Sequence, residues 1–243
     1  MAAVFTCSID DGHPSDQRMA ELLSKHGLRA TFYVPLKNRE GPPVMSAEQV
    51  REVGQGFEIG SHTLDHCYLN SVDAVEAKLQ IDCGKSALEY IIGRPVAGFC
   101  YPGGKFNRYH LDLVRGAGFL YARTTANLYI EHGKCPFEVP TTIQFYPHSR
   151  NVYLRNFLKF GNWHKRAAAL KVAWQAEHWI DRIYLLFDHA CRQDGVFHLW
   201  AHSQEIDRLE LWPDLDDFFA YVASNIPPSG RLDNHTLARV TGR

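Results

Sequence analysis

Two carboxylates stand side by side at Asp10-Asp11, directly after the apolar run AVFTCSI. At a strand end such a pair can divide its work, because successive side chains on a strand point in opposite directions. One carboxylate can hold a cation while the other takes a proton from water. The chain has a second pair, Asp216-Asp217, within LWPDLDDFFAYV. That pair lies near an expected helix start, where carboxylates suit the dipole, so adjacency alone does not mark chemistry.

Three more polar clusters follow apolar runs: His62 and His66 in GSHTLDH, the turn Tyr101-Pro102-Gly103-Gly104, and His198 and His202 in FHLWAH. With 13 histidines in 243 residues, an H-x-x-x-H spacing arises about once by chance, and the chain has two. Geometry separates them. On a strand four residues span ~13 Å, so His198 and His202 face the same way without sharing a metal. In a helical turn positions i and i+4 lie ~6 Å apart, and the Gly-Ser break before His62 permits such a turn. His62 and His66 are therefore candidate ligands of one metal, with a carboxylate from the aspartate pair as third donor. Such a shell leaves positions open for water and substrate, and the metal acidifies water and polarises a carbonyl. His202 is left to act as an acid or base. Trp200 shares its face, either to stack on a sugar ring or acyl group or to fill the core.

These groups need elements to position them. The first half alternates short apolar runs with helical patterns, which points to β/α units and a mostly parallel sheet. Strands are expected over 3–9, 30–35, 56–61, 97–102, 119–124 and 195–202. Helices are expected from Ser15 to about 25, from Ser46 onward, from Ser71 to about 92 and from Asn107 to 116. Two more are expected over roughly 165–191 and 213–224. In parallel α/β architectures the strand C-termini converge on one face, so clusters following four strands would meet there. Residues 141–164, irregular and aromatic, suit a lid, a substrate wall carrying Tyr146 and His148, or a plug for a barrel end. Beyond Pro227-Pro228-Ser229-Gly230 the tail has the polar composition of a disordered segment.

With 45% hydrophobic and 22% charged residues the chain is an ordinary globular protein. Its net charge of -1 and lack of any Lys/Arg run longer than two exclude electrostatic binding to nucleic acid or an anionic membrane as the main function. No apolar stretch reaches the length of a membrane span. The N-terminal residues lack a basic region, a long apolar core and a cleavage site, and the six cysteines form no C-x-x-C pair. The expected location is cytoplasmic and the expected partner a small molecule or saccharide. Nothing in the sequence argues for a particular oligomeric interface.

SIDDG, GSHTLDH, CYPGGKFN and HLWAHSQE, in that order and spanning residues 8–205, resemble the motifs of the polysaccharide deacetylases of the NodB-homology type, carbohydrate esterase family 4. The resemblance implies a deformed (β/α)7-type barrel of the α/β class in a single domain over 1–226, with 227–243 as a tail. It implies a hydrolase that removes N-acetyl groups, or sometimes O-acetyl groups, from sugars with a divalent metal, commonly zinc. Carried across, it makes Asp11, His62 and His66 the metal ligands, Asp10 the general base and His202 the general acid. The backbone N–H of Gly103 would serve the oxyanion, with Tyr101 and Pro102 shaping the turn. Two departures stand out. The family's third motif usually begins with an arginine that contacts the catalytic aspartate, where this chain has Cys100. The usual aspartate–tryptophan motif that tunes the catalytic histidine is not evident. Arg123 and Glu205 are the candidates to replace these partners. Other readings are a hydrolase of another C–N bond, allantoinase- or imidase-like, on the same fold, and a saccharide-binding member without turnover. A non-haem iron oxygenase also uses two histidines and a carboxylate, but commonly in a different chain order.

Overall fold

The apolar run before the aspartate pair forms the central strand, β1 (Val4–Asp10), in the computed structural model, which describes residues 3–241. Every β1 residue beyond Val4 is buried, as expected of a parallel strand covered on both faces. β2 (Thr31–Val34), β3 (Glu58–Ser61), β4 (Gly98–Cys100) and β5 (Tyr121–Arg123) extend the sheet on one side. β7 (Val196–Ala201) and then β6 (Ile143–Gln144) extend it on the other. All pairings are parallel, so helices carry the crossovers. The sheet curls into a half-barrel within a single domain. The stretch 139–144 spans its two edges, with Val139 bridged to Arg123 and Ile143 paired to Leu199.

The helices begin where local chemistry supplies the missing acceptors. Ser46 and Gln49 form a capping box at α2 (Ala47–Gly56), and Asn107 and His110 do so at α4 (Arg108–Gly116). α1 (Asp16–Lys25) follows Ser15, whose hydroxyl binds His13 and Ser203 rather than the helix. α3 (Ala74–Ile92) is capped by Asp73, not Ser71, because the carboxylate directly before the helix accepts from the N–H groups of Val75 and Glu76 at 2.9 Å.

The expected helix over 165–191 is two helices, α6 (Trp163–Gln175) and α7 (Trp179–Arg192). They part at Ala176, an extended residue whose carbonyl accepts from the Arg150 and Arg182 guanidiniums at 3.0 and 3.2 Å. Much of the irregular segment is also helical, as α5 (Arg150–Phe160).

α8 (Ser203–Arg208) and α9 (Trp212–Asn225) follow β7. Asp216 of α9 pairs with Lys25 and His26 at 2.7 and 2.6 Å, so the second aspartate pair supplies a tie to α1. All six cysteines are free, and among the described residues no helix is long and apolar enough to cross a membrane.

The polar tail corrects the expected boundary at 226. It continues as β8 (Arg231–Leu232), paired to β1, and α10 (Asn234–Thr241). Buried Asn234 accepts from the Thr6 hydroxyl at 2.7 Å and donates to the Tyr33 hydroxyl at 3.0 Å. The tail's polar character therefore serves buried sheet groups rather than solvent.

Two contacts carry measurable consequences. Glu58, at the start of β3, accepts from Thr31, Tyr121 and the His235 N–H at 2.5, 2.8 and 3.0 Å, and burial pushes its carboxyl from 4.5 up to about 7. The native state then holds a proton that the unfolded chain releases, so stability falls as pH rises from about 4.5 to 7. Glu58→Gln should flatten the pH dependence of Tm, removing a loss on the order of 3 kcal/mol across that window. An unchanged slope would disprove this. Gly84, within α3, backs onto the turn that carries His62 and His66: a Cβ there would meet the Thr63 and Leu64 backbone at 2.8–2.9 Å. Gly84→Ala gains about 1 kcal/mol of helix propensity but overpacks at a cost of about 1–3 kcal/mol. The expected net is a lower denaturant midpoint; a higher one would contradict the close approach.

Candidate active site

Asp10 and Asp11 diverge as expected, but for a different reason. Asp10 ends β1 and is buried, with Oδ1 ion-paired to Arg123 and Oδ2 3.9 Å from the Cys100 thiol. Asp11 leaves the strand at φ +76, a left-handed conformation that aspartate tolerates better than most residues. Its Oδ1 lies 3.4 Å from His62 Nε2 and 3.2 Å from His66 Nε2, and its Oδ2 lies 3.8 Å from His202 Nε2.

The two histidines meet without a helical turn. Thr63 and His66 both adopt positive φ, and the turn is held by Thr63 Oγ1 accepting from the Cys67 N–H at 2.8 Å. Gln80 of α3 accepts from the Asp65 N–H at 3.2 Å. The imidazole centroids end 5.2 Å apart. His62 Nδ1–H donates to the Cys100 carbonyl at 2.8 Å, which turns Nε2 toward Asp11. Glu40 lies 3.1 Å from His66 Nδ1.

The donor set fits a divalent metal. One Asp11 oxygen and one nitrogen from each histidine lie within 4.8 Å of one another, and Asp11 Oδ1 is buried without a well-aligned hydrogen bond among the described residues. His62 is backed on Nδ1 by the Cys100 carbonyl, as metal-binding histidines are, while Glu40 lies near His66 Nδ1 without a well-aligned hydrogen bond. Burial opposes ionisation of Asp11, yet the two imidazoles and the charge of His202 hold it well below the usual carboxylate range. Asp10, His62 and Cys100 form a second close trio, but Asp10 is engaged by Arg123 and burial pushes the Cys100 thiol well up.

Arg123 stands in for the arginine expected at position 100. The two residues are register partners on β4 and β5, so the guanidinium enters from the neighbouring strand. Burial alone would lower its pKa, but the Asp10 carboxylate carries it above the ordinary value. His202 has Glu205 on Nδ1 at 2.7 Å, and Gln144 braces Glu205 at 3.0 Å. Burial disfavours the imidazolium, but Glu205, Asp11 and Asp10 outweigh it and raise His202 to about 9.

These groups open onto a cavity of about 600 Å³. Gly103 lines it at φ +60, and a Cβ there would press on the Tyr68 ring at 2.9 Å. Trp200 also lines it, 5.3 Å from His202 and 5.1 Å from the Arg123 guanidinium, with its indole N–H buried and without a partner among the described residues. Tyr101 and Pro102 do not reach the cavity. The Tyr101 ring stacks on Phe106 at 4.1 Å and its hydroxyl donates to the Phe137 carbonyl at 3.2 Å, so it shapes the turn from the core side. His198 is buried between Ser8 and the Pro140 carbonyl at 2.9 and 3.0 Å, a core histidine.

The segment 141–164 divides its roles. Phe145 packs in the core 5.2 Å from Trp179, while His148 and one face of α5 form the cavity wall. Tyr146 packs on His148 at 4.6 Å and is not among the cavity's lining residues. Sequence reasoning missed Glu40, Gln144, Arg155, Lys159 and Arg208, all of which line the cavity. A signal existed for two of them: Arg155 and Lys159 are spaced i and i+4 along a helical pattern.

Residues 3–122 match the sequence model of the family described as polysaccharide deacetylase. The chitooligosaccharide deacetylase of Azorhizobium caulinodans is 33% identical over 115 residues, covering 46% of this chain and 53% of that protein. The chain spans about half the length of the curated relatives it matches. A solved Mycobacterium smegmatis structure assigned to the polysaccharide deacetylases is similar at a TM-score of 0.68, covering 98% of this chain and 90% of its own at 17% identity. The family 4 carbohydrate esterase from Streptomyces lividans, solved with acetate, gives 0.55 over 91% and 90% at 15% identity. At these identities the likeness to the two structures is one of fold. Through residues 3–122 the chain is thus similar in sequence to the polysaccharide deacetylase family, and it shares its fold with these structures along nearly its whole length.

Proposed function

We propose that the protein is a metal-dependent hydrolase that releases acetate from an N-acetylated, or O-acetylated, sugar. The observation that carries this reading is the convergence of Asp11, His62 and His66 in one cavity, with Asp10 and His202 beside them. A divalent cation held by those three residues, a donor set that suits zinc, supplies Lewis acidity toward the acyl oxygen and lowers the pKa of water. Asp10 takes the proton as water adds to the acetyl carbonyl carbon. Its companion Arg123 holds that carboxylate in place from β5. Gly103 exposes backbone rather than side chain at the cavity wall, where its N–H serves the developing oxyanion. As the C–N bond breaks, His202 delivers a proton from Nε2 to the departing amine, while Glu205 fixes its other nitrogen. With its pKa raised to about 9, His202 carries that proton at neutral pH.

Acetate release from a panel of N-acetylated sugars tests the reading. Release should vanish with a chelator and return with zinc; no acetate from any member would sink it. Asp10→Asn should lower kcat by about 10²–10⁴, and unchanged release would refute Asp10 as base. Glu205→Gln removes a group that raises the His202 pKa. The acid form is then lost at lower pH, so the alkaline limb of the kcat/KM profile should move to lower pH. A limb that stays in place would show that Glu205 does not tune His202.

A further inference from the structure

The charges around the catalytic cavity do not balance. Four carboxylates line it, and each is engaged: Asp10 by Arg123, Asp11 by the histidines, Glu205 by His202 and Gln144, and Glu40 by the Tyr68 hydroxyl and His66. Three cations line the same cavity, Arg155 and Lys159 from α5 and Arg208 from α8. Among the described residues none of the three has a carboxylate within ion-pair distance, and Lys159 has only the Phe160 ring, 5.1 Å away. Arg155 and Lys159 sit one turn apart on the α5 face that also turns Val152 and Asn156 to the cavity. A free surface cation is ordinary. Three from two separate elements, facing one cavity whose acids are already engaged, leave a site with unspent positive charge.

We propose that the substrate is an acetylated sugar that also carries an anionic group, a phosphoryl or a carboxylate. Arg155, Lys159 and Arg208 hold that anion while the acetyl group meets the Asp11–His62–His66 end of the cavity. Arginine forks suit such oxyanions, because they offer paired N–H donors in a plane. This inference rests on the deacetylase reading and names the substrate class of the same site.

The test compares N-acetylglucosamine with its 1- and 6-phosphates and with its uronic acid, on the zinc-loaded protein. At least one anionic member should exceed the neutral sugar about tenfold in kcat/KM. Which member wins tells phosphoryl from carboxylate. Arg155→Gln and Arg208→Gln should each reduce the ratio of anionic to neutral kcat/KM several-fold, mainly through KM. Lys171→Gln, which removes a charge from α6 outside the cavity, should leave the ratio unchanged. Raising salt from about 0.05 to about 0.5 M should compress the ratio. A ratio near one, or a preference insensitive to the arginine variants, would overturn the inference. Calorimetry of the amine products on metal-free protein reads the same preference without turnover. Preferential binding of an anionic product without acetate release from any sugar would therefore defeat the deacetylase reading and keep the anion site.

Discussion

Two neighbouring carboxylates in a largely buried site can persist only if each finds its own compensation. An unpaired buried charge costs several kcal/mol, far more than a single strand pairing returns. Asp10 finds a guanidinium and Asp11 finds imidazoles, and the rest of the site is arranged around that division. Arg123 is fully buried, between the rings of Tyr33 and Trp200 at 5.4 and 5.1 Å. Its ion pair ties β5 to β1 across the three strands that separate them in the sheet. The bridge between Arg123 and Val139 then carries the chain from that edge toward β7.

The other half of the division is expressed in the backbone. Asp11, Thr63 and His66 all adopt left-handed conformations without the freedom of glycine. Such residues persist where surrounding contacts over-determine them, and for the turn that carries Thr63 and His66 contacts come from α3 through Gln80 and the close approach at Gly84. Rigidity at the two imidazoles thus comes both from within their turn, through Thr63 and Cys67, and from α3 behind it. α5 contributes differently: it walls the cavity with the cationic side chains of Arg155 and Lys159.

What could be read from the sequence was whatever is encoded locally. The Asp-Asp pair after an apolar run, the histidines at i and i+4 and the His202 position each follow a strand, and parallel strands bring their C-termini together. The partner of Asp10 was only a guess, because Cys100 and Arg123 are neighbours across β4 and β5 and lie 23 positions apart in the chain. A turn motif fixes backbone, but not that the Tyr101 ring enters the turn from the core side. The tail was misread because composition cannot distinguish a polar residue facing water from Asn234, whose amide completes the Thr6 and Tyr33 hydroxyls. Nor does an apolar stripe register a break such as Ala176, where arginines from α5 and α7 capture the carbonyl.

β1 is made early and completed last. The end of its β2 edge can pair soon, but the start of that edge waits for β8 and the opposite edge waits for β7, and the Thr6–Asn234 hydrogen bond joins residues 228 positions apart. Contacts of such separation slow folding, since the chain must be brought together before they reward it. On the ribosome, the strand that ends at Asp10 and leads into Asp11 therefore shows a bare, apolar edge until β7 has been made. An unpaired edge of that kind is a template for another strand, a liability that shielding or a low concentration of nascent chains reduces.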